Sequence, residues 1–238
     1  MKDEVSVSVI VPAVDEEERV GSLVGQVVEQ DPHELIVVDG GSDDDTREVA
    51  REKGAEVVQG PGEGPGAARN TGASHASGDI LLFLDADVML LDTEVVQDIR
   101  ESFADPSNVM AVASREVDAS SLRSKLFLAM VSRSTELLYR SGVFINASGR
   151  LMAVRRSVFE DVGGFDEELP YCEDHDLLYR VKGEGEVEYL GSRYVPSGRR
   201  VDEKGVLGSI REYLPPTVHY FLDRDGMVER YSFESSDR

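Results

Sequence analysis

The sequence predicts a single α/β domain in which a mostly parallel sheet is covered by helices on both faces. Short apolar runs rich in β-branched residues alternate with segments of helical periodicity through the first half of the chain, and the connections between them are short. At 238 residues, 40% of them hydrophobic, the chain is long enough for one domain with a large buried core. Neither an internal repeat nor a linker-like stretch divides the sequence, so we predict one domain.

The first half is predicted to alternate four strands with three helices. The strands are expected at Val5–Val11, Leu35–Val38, Glu56–Val58 and Ile80–Leu84, and the helices at Glu16–Glu29, about Asp44–Lys53 and Ala67–Ala76. The segment Gly60–Gly66 contains four Gly and two Pro, and it is therefore predicted to be a loop.

The second half of the sequence is less regular. It is predicted to contain a long amphipathic helix at Ser120–Ser141, a strand at Arg150–Val154, and helices at Ser157–Val162 and Glu173–Lys182. The polar segment Arg224–Arg238 is expected to be ordered in part at most.

The chain is strongly acidic. It has 47 Asp and Glu residues against 25 Lys and Arg residues, of which five are Lys, and its net charge is −22. Such a charge repels itself in dilute buffer and is screened in molar salt, where the Debye length falls to about 3 Å. This composition resembles that of proteins from salt-accumulating halophiles, and the alternative is an acidic protein of a mesophile. The charge argues against nucleic-acid binding, which requires a large basic footprint.

Signals of cellular location favour the cytoplasm. No apolar run approaches the roughly 18 residues that a membrane-spanning helix requires, and the N-terminal MKDEVSVSV lacks the apolar core of a signal peptide. Because Cys172 is the single cysteine, an internal disulfide is excluded.

Acidic residues follow three of the predicted strands at the point where each strand ends. Asp15 and Glu16 come after the first strand, Asp39 after the second, and Asp85 and Asp87 after the fourth. Ligands of parallel sheets bind beyond the carboxyl ends of the strands, so these carboxylates are expected at one site. Asp85 and Asp87, two positions apart, could both bind one Mg²⁺ or Mn²⁺ ion, which also takes substrate phosphates as ligands. Aspartates are common in turns as well, and Asp39 could form an Asx turn instead of binding a base or ribose.

Two further features have more than one interpretation from the residues alone. Arg69, just inside a predicted helix, could reach a phosphate or a base, or could be an ordinary surface arginine. Glu173, Asp174 and Asp176 open another predicted helix. Acidic residues there stabilise a helix N-terminus by about 0.3–1 kcal/mol without any catalytic role.

Together, these motifs resemble those of family-2 inverting glycosyltransferases with the GT-A nucleotide-sugar fold, a Rossmann-like domain. The resemblance runs from about Ser6 to Arg180, and its six segments occur in the order found in the family. They are SVIVP (8–12) with Asp15-Glu16-Glu17, VVDGGS (37–42), GAARN (66–70), FLDAD (83–87), GGFDE (163–167) and EDHDL (173–177). The set is specific, although each motif alone is not.

The resemblance implies roles for residues of this chain. A nucleotide-sugar donor would contact Pro12, Glu16, Asp39, Arg69, Asp85 and Ala86. Mg²⁺ or Mn²⁺ would be bound by Asp85 and Asp87. Asp174 would be the general base that activates the acceptor, with Glu173 as the second candidate.

The resemblance also divides the domain by function. Residues 1–115 would bind the nucleotide sugar, residues 116–222 would hold the acceptor and the base, and residues 223–238 would be a polar tail. The acceptor would be a glycan or a lipid-linked molecule. Two positions depart from the commoner family pattern: Val14 stands where an aromatic residue often stacks on the base, and Gly40 replaces the second acid of an Asp-Asp pair. The base and the sugar are therefore not assigned.

Two other functions compete with this interpretation. A sugar-phosphate nucleotidyltransferase would require a Gly-rich basic loop after the first strand, where this chain has the acidic segment Val14–Glu18. A non-catalytic nucleotide-sugar-binding or scaffold protein would have little reason to retain Asp174 together with Asp85 and Asp87.

Residues 115–156 reverse the charge of the chain, with eight basic residues against three acidic ones. The stretch includes the predicted amphipathic helix, so it could lie at an anionic membrane on the cytoplasmic side and receive a lipid-linked acceptor. The alternative is a helix that packs on the sheet, with cations that balance nearby acids.

The net charge of −22 leads to a prediction about salt. We expect the thermal unfolding midpoint to rise steeply as KCl approaches molar concentration, because screening relieves the repulsion among the acids. Differential scanning calorimetry across a KCl series measures this. A midpoint that is flat between low and molar salt would contradict the halophile interpretation.

Overall fold

The structure is a computed structural model that describes residues 5–115 and 150–196 together with Tyr220. The predicted amphipathic helix at 120–141 and the polar tail at 224–238 lie outside the described residues. Within those residues, every helix is too short or too polar to cross a membrane.

Eight strands and six helices are described. The strands are β1 Val7–Ala13, β2 Glu34–Asp39, β3 Glu56–Gln59, β4 Ile80–Leu84, β5 Val88–Leu90, β6 Asn108–Arg115, β7 Leu151–Arg155 and β8 Glu186–Pro196. The helices are α1 Glu17–Val28, α2 Thr46–Glu52, α3 Pro65–His75, α4 Val95–Phe103, α5 Arg156–Asp161 and α6 Glu173–Val181.

The described strands form one sheet in the order β3-β2-β1-β4-β7-β6-β8-β5. Strands β3, β2, β1 and β4 pair in parallel, and β7 lies antiparallel to both β4 and β6. Strands β6 and β8 pair in parallel, and β5 is antiparallel to β8 at the sheet edge. Only β7 and β5 among these strands run against the others, so the predicted mostly parallel sheet is confirmed.

The two faces of the sheet contact separate hydrophobic cores. Val9 of β1 packs in the core that includes residues of α1, α2 and α4, whereas the neighbouring Ile10 packs in the core that includes residues of α3, α5 and α6. Both side chains are fully buried, which explains why the centre of β1, Val9–Val11, is a continuous apolar run and not an alternating one. The predicted helices on both faces are confirmed.

All the elements predicted for the first half are present, with small shifts at their ends. The main correction concerns Gly60–Gly66, whose last two residues are not loop because α3 begins at Pro65. Proline suits the first turn of a helix, where its missing N–H has no intrahelical partner. In the second half, β7, α5 and α6 lie where a strand and two helices were predicted.

Four elements were not predicted: β5, α4, β6 and β8. Helix α4 carries a readable signal, because its buried Val95, Val96, Ile99 and Phe103 recur at helical spacing. Strand β5 has only three residues, which is too short for periodicity to identify.

The contact between α3 and the sheet leads to a prediction about glycine. A Cβ atom on Gly72 would lie 2.3 Å from Cγ2 of Ile10 and 3.0 Å from Cγ2 of Val38. We expect Gly72→Ala to lower the free energy of unfolding by about 1–3 kcal/mol, because this core has no room for the methyl group. Urea denaturation at fixed salt measures the change.

Gly25 in α1 provides the matched control, because a Cβ atom there would meet nothing within 4 Å. Gly25→Ala should raise the free energy of unfolding by roughly 0.5–1 kcal/mol through helix propensity. Equal stabilities of the two variants would show that close packing of α3 is not what requires Gly72.

Candidate active site

The parallel strands β1, β2 and β4 place their carboxyl ends at one edge of the sheet. Ala13, the last residue of β1, lies opposite Asp39, the last residue of β2, and β4 ends at Leu84 beside β1. The ends of these strands and the segments that follow them carry six of the nine predicted site residues, namely Pro12, Glu16, Asp39, Asp85, Ala86 and Asp87. The strand-end carboxylates therefore lie along the edge where ligands of such sheets bind.

Arg69 of α3 joins two acidic residues that are far apart in sequence. Its Nη2 lies 2.7 Å from Oδ1 of Asp85, and its Nη1 lies 2.7 Å from Oε1 of Glu173. The guanidinium also lies 5.4 Å from the ring centroid of Phe165, and the whole residue is 3% exposed. This ion pair ties the end of β4 to the first residue of α6.

Burial and charge act in opposite directions on this cluster. Burial alone would lower the pKa of the Arg69 guanidinium, but Asp85 and Glu173 raise it above its ordinary value, so the arginine is charged. Burial raises the pKa of the Glu173 carboxyl, the negative charge of Asp174 raises it further, and Arg69 opposes that rise. The arginine thus stabilises the buried carboxyl of Glu173 beside the partly buried Asp85.

This geometry changes the expected role of Arg69. The resemblance implied contact with the nucleoside, whereas both terminal nitrogens are bound to carboxylates and the side chain is buried. A direct contact of Arg69 with the donor stays a prediction, and the structure favours a positioning role.

Asp39 forms the Asx turn that the sequence left as an alternative. Its carboxylate accepts hydrogen bonds from the N–H of Gly41 at 3.2 Å and from the N–H and Oγ of Ser42 at 3.1 and 2.5 Å. Arg47 lies 3.5 Å away, and the Asp39 side chain is fully buried. Contact of this carboxylate with a base or ribose stays a prediction, because these groups cover it in the structure.

Asp85, Ala86 and Asp87 form the turn between β4 and β5. Asp85 accepts from Arg69 through Oδ1, and its Oδ2 accepts no hydrogen bond from the described residues. Asp87 accepts from Nη1 of Arg150 at 3.0 Å through Oδ1 and at 3.2 Å through Oδ2. The side chain of Ala86 packs in the core at 4% exposure, so only its backbone could contact a donor.

The Asp85–Asp87 turn offers two carboxylates to Mg²⁺ or Mn²⁺. Among the described residues, no three His, Cys, Asp or Glu side chains are grouped closely enough to hold a metal ion. The side chains of Asp85 and Asp87 are 28% and 17% exposed, so both can be reached from solvent. Two carboxylates completed by phosphate oxygens and water are a usual Mg²⁺ site, so these residues fit the cation.

Asp174 lies in the first turn of α6, where the helix dipole favours a carboxylate. Cys172, which precedes the helix, has a φ of +65°, and this left-handed conformation turns the chain into α6. Oδ1 of Asp174 accepts from both the N–H and Nδ1 of His175, each at 2.8 Å. Asp174 is thus held by His175, whereas Glu173 is held by Arg69.

The remaining predicted residues lie where β1 leads into α1. Pro12 is half-buried opposite Val38, and Glu16 is buried, with its N–H donating to Oγ1 of Thr46 at 2.8 Å. The side chain of Glu16 accepts from Arg19 at 3.3 Å.

The two departures from the family pattern are neighbours in space. Val14 is 52% exposed, and a Cβ atom on Gly40 would lie 2.5 Å from its Cγ2. An acidic side chain at position 40 would therefore require Val14 to move. Val14 and Gly40 therefore alter the same part of the predicted donor site.

Two residues of the site were missed by sequence reasoning. His175 stood within a quoted motif without a role, and Arg150 was counted only as part of a basic stretch. The signal for His175 was its position next to Asp174. Arg150 has no such local signal, because it reaches Asp87 only through the pairing of β7 with β4.

Comparison with known proteins identifies the family and the fold. Residues 8–163 match the model of the family described as "Glycosyl transferase family 2". The 4,4'-diaponeurosporenoate glycosyltransferase of Staphylococcus haemolyticus (strain JCSC1435) is 39% identical over 107 residues, which are 42% of this chain and 28% of that protein. The chain thus matches little more than a quarter of that relative's length.

Solved structures share the fold at low sequence identity. Glucosyl-3-phosphoglycerate synthase from Mycobacterium tuberculosis, in complex with Mn²⁺, UDP-glucose and phosphoglyceric acid, superimposes with a TM-score of 0.64 at 22% identity and covers 92% of this chain and 80% of that one. Mannosyltransferase PcManGT from Pyrobaculum calidifontis, in complex with GDP-Man and Mn²⁺, has a TM-score of 0.64 at 20% identity and covers 89% and 64%. Both similarities confirm the predicted GT-A fold.

The buried ion pair leads to a prediction about stability. Arg69→Met leaves Asp85 and Glu173 without their shared cation, so we expect the free energy of unfolding to fall by about 3–5 kcal/mol. Arg51→Met is the control, because Arg51 is 53% exposed and pairs with the exposed Glu48. Removing that surface pair should change stability by less than about 1 kcal/mol. Similar losses in the two variants, measured by urea denaturation, would contradict the stabilising role of the Arg69 ion pair.

Proposed function

Because the chain belongs to glycosyl transferase family 2, we propose that it transfers a sugar from a nucleotide-sugar donor to an acceptor hydroxyl or lipid-linked phosphate, with inversion at the sugar carbon. The observation that carries the proposal is the Arg69 ion pair. By binding Asp85 and Glu173 together, it brings Asp174, the neighbour of Glu173, to the edge of the sheet that carries the Asp85–Asp87 turn. This contact supports a proposal in which the donor site and the candidate base belong to one cluster.

The donor would lie along the carboxyl ends of β1, β2 and β4. Pro12, Val14 and Glu16 follow or end β1, and the Asx turn of Asp39 follows β2. The diphosphate would face the Asp85–Asp87 turn. These positions support the assignment of residues 1–115 to donor binding.

Asp85 and Asp87 would hold the divalent cation. When bound, Mg²⁺ or Mn²⁺ neutralises the negative charge that builds on the departing nucleoside diphosphate. The complexes of the mycobacterial synthase and the Pyrobaculum mannosyltransferase contain Mn²⁺, which favours that ion for the first experiments.

Asp174 would accept the proton of the attacking hydroxyl. The hydroxyl must attack the sugar carbon from the face opposite the departing diphosphate, which inverts the configuration. A positioned carboxylate typically contributes 10²–10⁴-fold to such a step. Glu173 is the weaker candidate, because its carboxylate is buried and bound to Arg69.

Contact with an anionic membrane is a separate proposal that concerns residues 115–156. Of the eight cations in residues 115–156, Arg150 binds Asp87, and Arg155 donates to the backbone carbonyls of Phe103, Asp105 and Asn108. These two side chains are used inside the domain. Any membrane surface would therefore depend on the remaining cations of the stretch.

A panel of UDP-, GDP- and dTDP-sugars tests the proposed function. Each is added with Mn²⁺ in molar KCl, and the thermal unfolding midpoint is measured. A ligand present at 100 times its dissociation constant should stabilise the fold by about 2.7 kcal/mol. The proposal is wrong if no nucleotide sugar raises the midpoint and none is turned over to a nucleoside diphosphate.

The role of Asp174 leads to a prediction that separates binding from chemistry. Asp174→Asn should bind the donor identified by the panel with unchanged affinity and release nucleoside diphosphate at least about 10²-fold more slowly, because an amide cannot take the proton. Asp161→Asn, an exposed acid at the end of α5, is the control and should turn over normally. Full turnover by Asp174→Asn would transfer the role to another group.

A further inference from the structure

Arg150 is fixed beside the predicted metal turn by its backbone as well as its side chain. It immediately precedes β7, and its carbonyl accepts a hydrogen bond from the N–H of Asp85 at 3.2 Å. The next residue, Leu151, lies opposite Leu84 at the end of β4. The guanidinium therefore starts from a backbone position that is tied to the Asp85–Asp87 turn.

The guanidinium of Arg150 contacts both carboxylate oxygens of Asp87. The Nη1 atom lies 3.0 Å from Oδ1 and 3.2 Å from Oδ2, so one nitrogen contacts both carboxylate oxygens. The side chains of Arg150 and Asp87 are 25% and 17% exposed. Solvent screens the attraction between two partly buried charges less than the attraction between two exposed ones. The Arg150–Asp87 attraction is therefore stronger than that of an ordinary surface ion pair.

The Nη1 atom lies close to both oxygens of Asp87, so a divalent cation bound by either oxygen would lie near a second positive charge. The repulsion between the two cations would weaken the contact that Nη1 makes and favour its displacement. Arginine also binds phosphate well, because its planar fork can donate two parallel hydrogen bonds. A guanidinium displaced from Asp87 would lie beside the diphosphate that accompanies the metal.

We propose that Arg150 competes with the divalent cation for Asp87 and moves onto the donor diphosphate when metal and diphosphate bind together. The proposal rests on the proposed function and adds a donor-binding residue to it. It explains how the acidic turn is neutralised before the substrate arrives. It also couples metal binding to the diphosphate, because the diphosphate would bind the guanidinium that the metal displaces.

This competition has two opposite consequences for a neutral variant. Without the guanidinium, Mn²⁺ alone should bind Asp87 more tightly. The diphosphate, in contrast, should bind the Mn²⁺-loaded protein more weakly, because it loses a cationic partner. Cooperativity between metal and diphosphate should therefore decrease, since the coupling between two ligands is reciprocal.

The experiment measures Mn²⁺ binding to the full chain by electron paramagnetic resonance in molar KCl. Arg150→Gln should bind Mn²⁺ alone about five-fold more tightly than the wild-type protein, and bind inorganic pyrophosphate in the presence of Mn²⁺ at least about five-fold more weakly. Inorganic pyrophosphate is the probe because it carries the diphosphate without a base. The Mn²⁺ signal lost in Asp87→Ala defines the specific site among the many acids.

Two further variants keep the test sharp. Arg51→Gln makes the same charge change in the exposed pair with Glu48 and should match the wild-type protein in both titrations. Arg150→Lys retains the charge without the planar fork, so it should bind Mn²⁺ alone nearly as weakly as the wild-type protein. Urea denaturation of each variant confirms that it is folded.

Several outcomes would overturn the proposal. Unchanged or weaker Mn²⁺ binding by Arg150→Gln would show that the arginine does not compete, and unchanged pyrophosphate binding would show that it does not reach the diphosphate. Absence of an Asp87-dependent Mn²⁺ signal in the wild-type protein would remove its basis. Donor binding in the nucleotide-sugar panel is measured separately, so failure here leaves the proposed transfer activity standing.

Discussion

The buried ion pair of Arg69 with Asp85 and Glu173 sets the arrangement of the candidate site. Asp85 follows β4 in the donor half, whereas Glu173 begins α6, and one guanidinium contacts both carboxylates at 2.7 Å. Removing that cation would leave the buried Glu173 and the partly buried Asp85 without a partner for their charges, which is strongly unfavourable. The place of Asp174, one residue after Glu173, follows from this constraint.

Arginine side chains neutralise acidic residues that lie close together in this chain. With a net charge of −22, it still gathers acidic residues at one edge of its sheet. The structure pairs these acids individually: Asp85 with Arg69, Asp87 with Arg150, and Asp39 with backbone N–H groups near Arg47. The buried pair of Arg69 joins β4 to α6, and the more exposed Arg150 is the residue that we propose exchanges partners. Under that proposal, a site for a metal diphosphate can exist in an acidic protein before the ligand binds.

Local patterns predicted the first half of the fold and the residues of the edge, because both depend on short-range signals. The centres of β1 and β2, Val9–Val11 and Leu35–Val38, are continuous apolar runs, and acidic residues lie at the strand ends or shortly after them. The partners of those acids were not predictable in this way. Arg69 reaches Glu173 across 104 positions of sequence, and Arg150 meets Asp87 because β7 returns antiparallel to β4. Strand β5 was missed because three residues are too few to show the alternation of apolar and polar residues that identifies a strand. The burial of Asp39 was left open by the sequence and was decided by the turn with Ser42.

A crystal grown with Mn²⁺ and a nucleoside diphosphate, and measured at the manganese absorption edge, tests the central claim most directly. The anomalous map locates the metal, and the same density shows the partners of Arg69. The account predicts a manganese peak within bonding distance of the Asp87 carboxylate, while Arg69 still bridges Asp85 and Glu173. A peak elsewhere, or an Arg69 side chain that has left both carboxylates to contact the nucleotide, would contradict it.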